Sequence, residues 1–206
     1  MLFRSAYIDK LEFFGTNHSP GKVVISASRG GYGNARYFFD DASGRSLRGA
    51  SAKAGVLAVG VSSNNVFYAP YSGSHIAKGT NVSGYFTWGN NGGQNRSFST
   101  NGDVVFTEAS RWYVMMTGES YNGQEAIAAG QSHFMDWFSP HAFGGTNFDY
   151  TPVGAVSHVD EPDEPGINNE YVYFGLWAAG KTFAFVAWAS RATPYFQAIG
   201  DPLITR

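Results

Sequence analysis

The sequence predicts an α/β protein of three layers, α/β/α, built on a mainly parallel sheet. Three observations carry this prediction. The strand candidates are short and uniformly apolar rather than alternating, the pattern of strands covered on both faces. Helical stretches separate them, as parallel crossovers require. Polar turns rich in Gly and Asn follow directly on the apolar runs, which places the candidate ligand loops beyond the carboxyl ends of the strands.

Lys22-Val23-Val24-Ile25-Ser26 is a β-branched run closed by Gly30-Gly31, and Tyr37-Phe38-Phe39 is an apolar run stopped by Asp40-Asp41; both read as buried strands. Leu47 to Ala58 is rich in Ala, Lys and Arg and reads as a helix, in which Gly49 and Gly55 each cost about 1 kcal/mol relative to Ala. Val66-Phe67-Tyr68 returns to strand. Between Ser72 and Thr100 the chain is polar around one aromatic strand, Gly84-Tyr85-Phe86-Thr87-Trp88-Gly89, which empties into Asn90-Asn91-Gly92-Gly93. Arg111 to Thr117 is a strongly apolar strand ending in Gly118-Glu119-Ser120-Tyr121-Asn122-Gly123. Gln131 to Phe138 reads as a helix, and Val153 to Val159 as a strand running into Asp160-Glu161-Pro162. Asn169 to Ala179 and Thr182 to Ala189 read as two more helices, and a short strand precedes Asp201-Pro202. No repeat, Pro- or Ser-rich linker or charge block divides the chain, so a single domain over 1–206 is expected.

Composition narrows the function. Charged residues are 15% of the chain, and 14 Lys+Arg against 16 Asp+Glu leave a formal charge of -2, so there is no basic field to hold nucleic acid or an anionic membrane. The apolar runs 171–179 and 182–189 are separated by Gly180-Lys181 and fall short of the roughly 20 residues that span a bilayer, so no membrane insertion is expected. With no cysteine there is no disulfide framework, thiolate zinc site or cysteine nucleophile. Nothing implies a cofactor. Met1-Leu2-Phe3-Arg4-Ser5 lacks the apolar core and cleavage site of a secretory signal, whereas the abundance of Gly, Asn and Ser is common in extracytoplasmic proteins. The expected location is extracytoplasmic or secreted, with the export signal absent from this chain.

From Gly84 onward the order of segments carries a resemblance. The pieces are Gly84-Tyr85-Phe86-Thr87-Trp88-Gly89, then Trp112 to Ser120, then Thr151-Pro152-Val153-Gly154-Ala155-Val156 leading to Glu161-Pro162. They continue through Tyr173-Phe174-Gly175-Leu176-Trp177-Ala178-Ala179-Gly180-Lys181-Thr182-Phe183-Ala184 to Gly200-Asp201-Pro202-Leu203. This order resembles a family of uncharacterised bacterial exported proteins, itself distantly similar to the caspase-like domain of gingipain-type cysteine peptidases. The likeness is better over 84–206 and weak over 1–83, which leaves open that the chain is a fragment of a longer one. The resemblance implies a caspase-like fold with its site at the strand ends. In those peptidases a His after one strand and a Cys after the next form the catalytic dyad. Here the corresponding loops read Trp88-Gly89-Asn90-Asn91-Gly92 and Gly118-Glu119-Ser120-Tyr121-Asn122-Gly123, with neither residue, so the thiol mechanism does not carry over.

Other chemistry is weighed at the same loops. Ser120 is a candidate nucleophile with Glu119 as its base, and His158 beside Asp160 and Glu161 a candidate general base, although strand alternation sends Glu161 to the other face. Trp88, Asn90, Tyr121 and Glu161 are candidate binding residues. Tyr32, Trp88, Trp112 and Tyr121 would be stacking platforms for sugar rings, or else core. Asp160, Glu161, Asp163 and Glu164 lack calcium-loop spacing and read as a solvated acidic loop; His133 and Asp136 lack further ligands, so no metal is expected. Gly30-Gly31-Tyr32-Gly33-Asn34 matches no phosphate-loop motif, and Asp201 reads as structural. Two functions follow, a caspase-like binding or structural module for a peptide or glycan, and a hydrolase using Ser120 or Glu119, Glu161 and His158. A carbohydrate-binding domain is a third.

Overall fold

The structure is a computed structural model that describes residues 7–10, 35–40, 47–70, 76–90, 97–126 and 130–206. In chain order the elements are β1 (Arg36–Asp40), α1 (Arg48–Ala58), β2 (Val66–Ala69), β3 (Lys78–Thr80), β4 (Val82–Thr87), β5 (Val105–Thr107) and β6 (Val114–Thr117). They continue with α2 (Phe134–Trp137), β7 (Gly154–His158), α3 (Asp163–Gly166), α4 (Glu170–Ala178), α5 (Phe183–Ser190) and β8 (Phe196–Gly200). The strand expected at 22–26 and the glycine-rich turn at 30–34, with Tyr32, lie outside the described residues.

Six strands form one sheet in the order β2-β1-β4-β6-β7-β8. All neighbours pair in parallel except β7 and β8, which are antiparallel. The central strands β4, β6 and β7 are buried along their whole length, which is why they read as unbroken apolar runs. Alternation sends Tyr37, Phe39, Phe86, Val114, Met116 and Val156 to one face, against α1, α4 and α5 through Val56, Phe174 and Val186. Phe38, Tyr85, Met115 and Ala155 pack on the other face against Phe106, Trp137 and Phe143. The architecture is therefore the expected α/β/α, consistent with a caspase-like fold. The second outer layer, among the described residues, is made of the small parallel pair β3–β5, the single turn α2 and a 3-10 turn at Ala142–Gly144.

α1 and α4 cross in direct contact. A Cβ on Gly55 would lie 2.2 Å from the Tyr171 carbonyl oxygen, so the glycine that weakens α1 locally is what lets the two backbones meet. The helix expected at 131–138 shrinks to the four residues of α2. Ser132 is held away from helical geometry by its bonds to Glu119, and His133 is extended at φ -117°, ψ 130°. Near the start of the chain Lys10 is buried, its Nζ donating to the carbonyls of Phe148 (3.2 Å) and Thr151 (2.6 Å) and to Thr151 Oγ1 (3.1 Å).

Candidate functional site

Because β4, β6 and β7 are neighbours, the turns leaving their carboxyl ends lie side by side, as expected for a parallel sheet. Glu119 joins them. It leaves β6 pointing inward and is 0% exposed. Its Oε1 accepts from the backbone N–H groups of Asn90 (2.9 Å) and Ser132 (2.6 Å), and its Oε2 accepts from Ser132 Oγ (2.6 Å) and, at 3.4 Å, from Asn122 Nδ2. Burial pushes the carboxyl pKa up, and the hydrogen bonds from Ser132 and Asn90 offset that only in part. Gly89 makes room for the carboxylate. Its φ is +62° and a Cβ there would sit 2.1 Å from Glu119 Oε2, so both backbone conformation and space demand glycine.

Asn122 ties β6 to β7. Its Nδ2 donates to Thr117 Oγ1 at 2.8 Å, and its Oδ1 accepts from the His158 N–H at 3.0 Å. His158 ends β7 and is buried; its Nδ1 lies 3.1 Å from the Glu119 carbonyl oxygen, which only accepts, so Nδ1 carries the proton. Desolvation lowers the imidazole pKa, although the Glu119 carbonyl and the Asn168 side chain favour the charged form. Burial thus favours the neutral ring, and the bond to the Glu119 carbonyl fixes its orientation.

Asn90, Glu119 and His158 are therefore brought together, but as a bonded joint. Ser120 is 8% exposed, and neither the Glu119 carboxylate nor the His158 ring bonds its hydroxyl. Glu119 as a base for Ser120 has no geometric support, since both carboxylate oxygens already accept from other donors. Glu161 is exposed and outside the joint. Asp160 Oδ1 accepts from the Glu161 N–H (2.8 Å) and Glu161 Oε1 accepts from the Asp163 N–H (3.2 Å); the four acidic residues are exposed as expected, but Asp163 and Glu164 lie in the single turn of α3 and not in a loop. Trp88 is 7% exposed and belongs to the core, as does Trp112, whose Nε1 donates to the Thr205 carbonyl at 2.8 Å. These two indoles are core, not sugar platforms. Tyr121 is half-buried at φ +57°; its phenol pKa is raised by desolvation and by the carboxylates of Asp160, Glu161 and Asp163.

His133 Nε2 lies 2.7 Å from the Gln124 carbonyl, and among the described residues no three His, Asp or Glu side chains group as metal ligands. Asp201 Oδ1 accepts from the Leu203 N–H at 2.9 Å, the structural role expected of it. Among the described residues no helix is long and apolar enough to cross a membrane.

The sequence did not mark Ser132, which lies 13 residues from Glu119 in a polar stretch without periodicity. Nor did it pair Arg48 with Glu170, 122 residues apart, whose side chains meet at 2.7 Å. Arg48 also donates to the Glu164 carbonyl. Beside this pair lies an open cavity of about 410 Å³, lined by Leu47, Arg48, Ser51, Glu164 and Asn169 among others, between the segments that follow β1 and β7. No family model, curated protein or solved structure matches the chain.

Proposed function

We propose that this chain is a caspase-like domain without peptidase chemistry, acting as a binding or structural module of an extracytoplasmic bacterial protein. The observation that carries the reading is Glu119: at the loop where the resemblance puts the nucleophile, a carboxylate is turned into the core and holds Asn90 and Ser132. Such a joint ties Asn90 and Ser132 to Glu119 and, among the described residues, leaves the Glu119 carboxylate engaged rather than free as a base for Ser120. The location outside the cytoplasm rests on the resemblance and on the Gly-, Asn- and Ser-rich composition.

The ligand we assign to this end of the sheet is a peptide. Burial of Trp88 and Trp112 removes two of the aromatic faces a glycan would stack on, while Tyr121, Glu161 and the cavity beside Arg48 and Glu170 remain open to an extended chain. A peptide and glycan array, read with Tyr121→Ala and Glu161→Ala variants, tests this: peptide binding lost in both is the expected result. Glycan binding that survives both would sink the ligand assignment. A screen of peptide, ester and glycoside substrates tests the absence of catalysis; turnover that disappears in Ser120→Ala would establish the hydrolase instead.

A further inference from the structure

We infer that His158, Asn168 and Ser190 form a relay whose hydrogen bonds reverse direction when His158 takes up a second proton from solvent, carrying that event to the last turn of α5. The first observation is a pair of buried acceptors. His158 Nε2 and Asn168 Oδ1 are both buried, and neither has a hydrogen-bond partner. The two side chains adjoin, since the Asn168 side chain is one of the groups that favour the charged ring. With the Nδ1 proton directed at the Glu119 carbonyl, 3.1 Å away, the neutral ring turns an Nε2 lone pair to an amide oxygen that also only accepts. Unpaired buried acceptors are costly, so an arrangement that pairs both displaces one that pairs neither.

The second observation is where the bonds lead. Asn168 Nδ2 donates to Ser190 Oγ at 3.0 Å, and Ser190 Oγ donates to the Ala187 carbonyl at 3.0 Å. Two arrangements of protons satisfy all three side chains. In the charged form Nε2–H donates to Asn168 Oδ1, and both bonds beyond it run in the direction just given. In the neutral form the amide turns over: Nδ2 donates to Nε2, Oδ1 accepts from the Ser190 hydroxyl, and the Ala187 carbonyl loses that donor. The amide nitrogen and oxygen are nearly equal in shape, so the exchange needs no repacking.

The third observation is what the relay touches. The Asn169 N–H donates to the Ser190 carbonyl at 2.7 Å, and Asn169 Oδ1 caps α4 by accepting from the Val172 N–H at 3.0 Å. Ile167, Asn169 and Ala192, which flank the relay residues in the chain, line the cavity beside Arg48 and Glu170. Protonation therefore pins the last turn of α5 at the wall of that cavity, and its loss frees it. The charged groups at the ring act in both directions. Arg48 of α1, itself paired with Glu170 of α4, opposes the second proton, and Glu161 after β7 favours it. The Glu119 carboxylate is engaged with Asn90 and Ser132, Asp163 and Glu164 of α3 are exposed, and α5 and β8 carry no ionisable side chain.

The test is nuclear magnetic resonance on the full chain, titrated through the histidine range of about pH 5 to 8. Above the His158 midpoint the Asn168 amide protons are expected to show cross-relaxation with the His158 ring. Below it they should show it with the Ser190 side chain, and the Ser190 and Ala192 backbone signals should move with the same midpoint. In Asn168→Leu, with circular dichroism unchanged, His158 should still titrate while the Ser190 and Ala192 signals stop following it. Asn168 contacts that stay the same across the His158 titration overturn the inference. So do Ser190 signals that still follow His158 in Asn168→Leu, and a His158 ring that takes no second proton before the chain unfolds. Should Asn168→Leu misfold, the exchange of contacts in the wild type decides.

Discussion

A carboxylate with no exposure survives at Glu119 because donors arrive from two loops, Asn90 and Ser132, and that sets the cost of removing it. Glu119→Ala strands the N–H groups of Asn90 and Ser132 and the Ser132 hydroxyl, each worth about 1–3 kcal/mol when buried unpaired, so urea unfolding should show a loss of at least about 3 kcal/mol. Glu119→Gln keeps one oxygen acceptor and should lose less. Equal stability of Glu119→Ala and wild type would show that the joint is not made in solution. The buried titratable groups set the pH dependence. His158 has a folded pKa below its ordinary value of about 6.5, so just below that pH the unfolded chain binds more protons and stability falls on acidification. His158→Gln should flatten this slope in pH-resolved melts. Lys10 is brought down to about 7 by desolvation, with Asp149 opposing and Arg111 adding to the shift. Between that value and the ordinary value of about 10.4 the unfolded chain again binds more protons, so stability should rise with pH across the interval and the rise should vanish in Lys10→Met.

Elements are decided by neighbours as much as by their own residues. α1 tolerates Gly55 because the Tyr171 carbonyl of α4 occupies the space of its Cβ, so the sequence cost of about 1 kcal/mol is offset by close helix packing. Gly55→Ala, stabilising in an isolated helix, should therefore destabilise this protein; a raised melting temperature would contradict the α1–α4 crossing. At the other extreme α2 is cut to one turn although 131–138 has helical composition, because Ser132 is engaged with Glu119 and the Phe134 N–H donates to the Asn122 carbonyl. The strands β1, β4, β6 and β7 were legible since burial on both faces selects unbroken apolar runs. β3 and β5 were not: three-residue strands with Lys78, Gly79, Thr80 and Thr107 show no period, and they pair with each other only because the fold lays them together.

On the scale of the molecule two aromatic cores lie back to back on one sheet, the first under α1, α4 and α5, the second around Phe106 and Phe143, which stack at 4.8 Å. They share β4, β6 and β7, so they should melt as one. Phe106→Ala and Trp177→Ala, from opposite faces, should each cost about 3–5 kcal/mol and shift far- and near-UV transitions together; separate transitions would show two cooperative units. Short buried strands and intervening helices, read locally, were enough to determine the α/β/α layering and the end of the sheet where polar loops collect. Cysteine content alone excluded a thiol nucleophile there. What Glu119, Ser120 and His158 do at that end was decided only by tertiary structure, because a carboxylate's role depends on which donors reach it, and Asn90, 29 residues away, and Ser132 reach Glu119 through strand order and not through any local pattern.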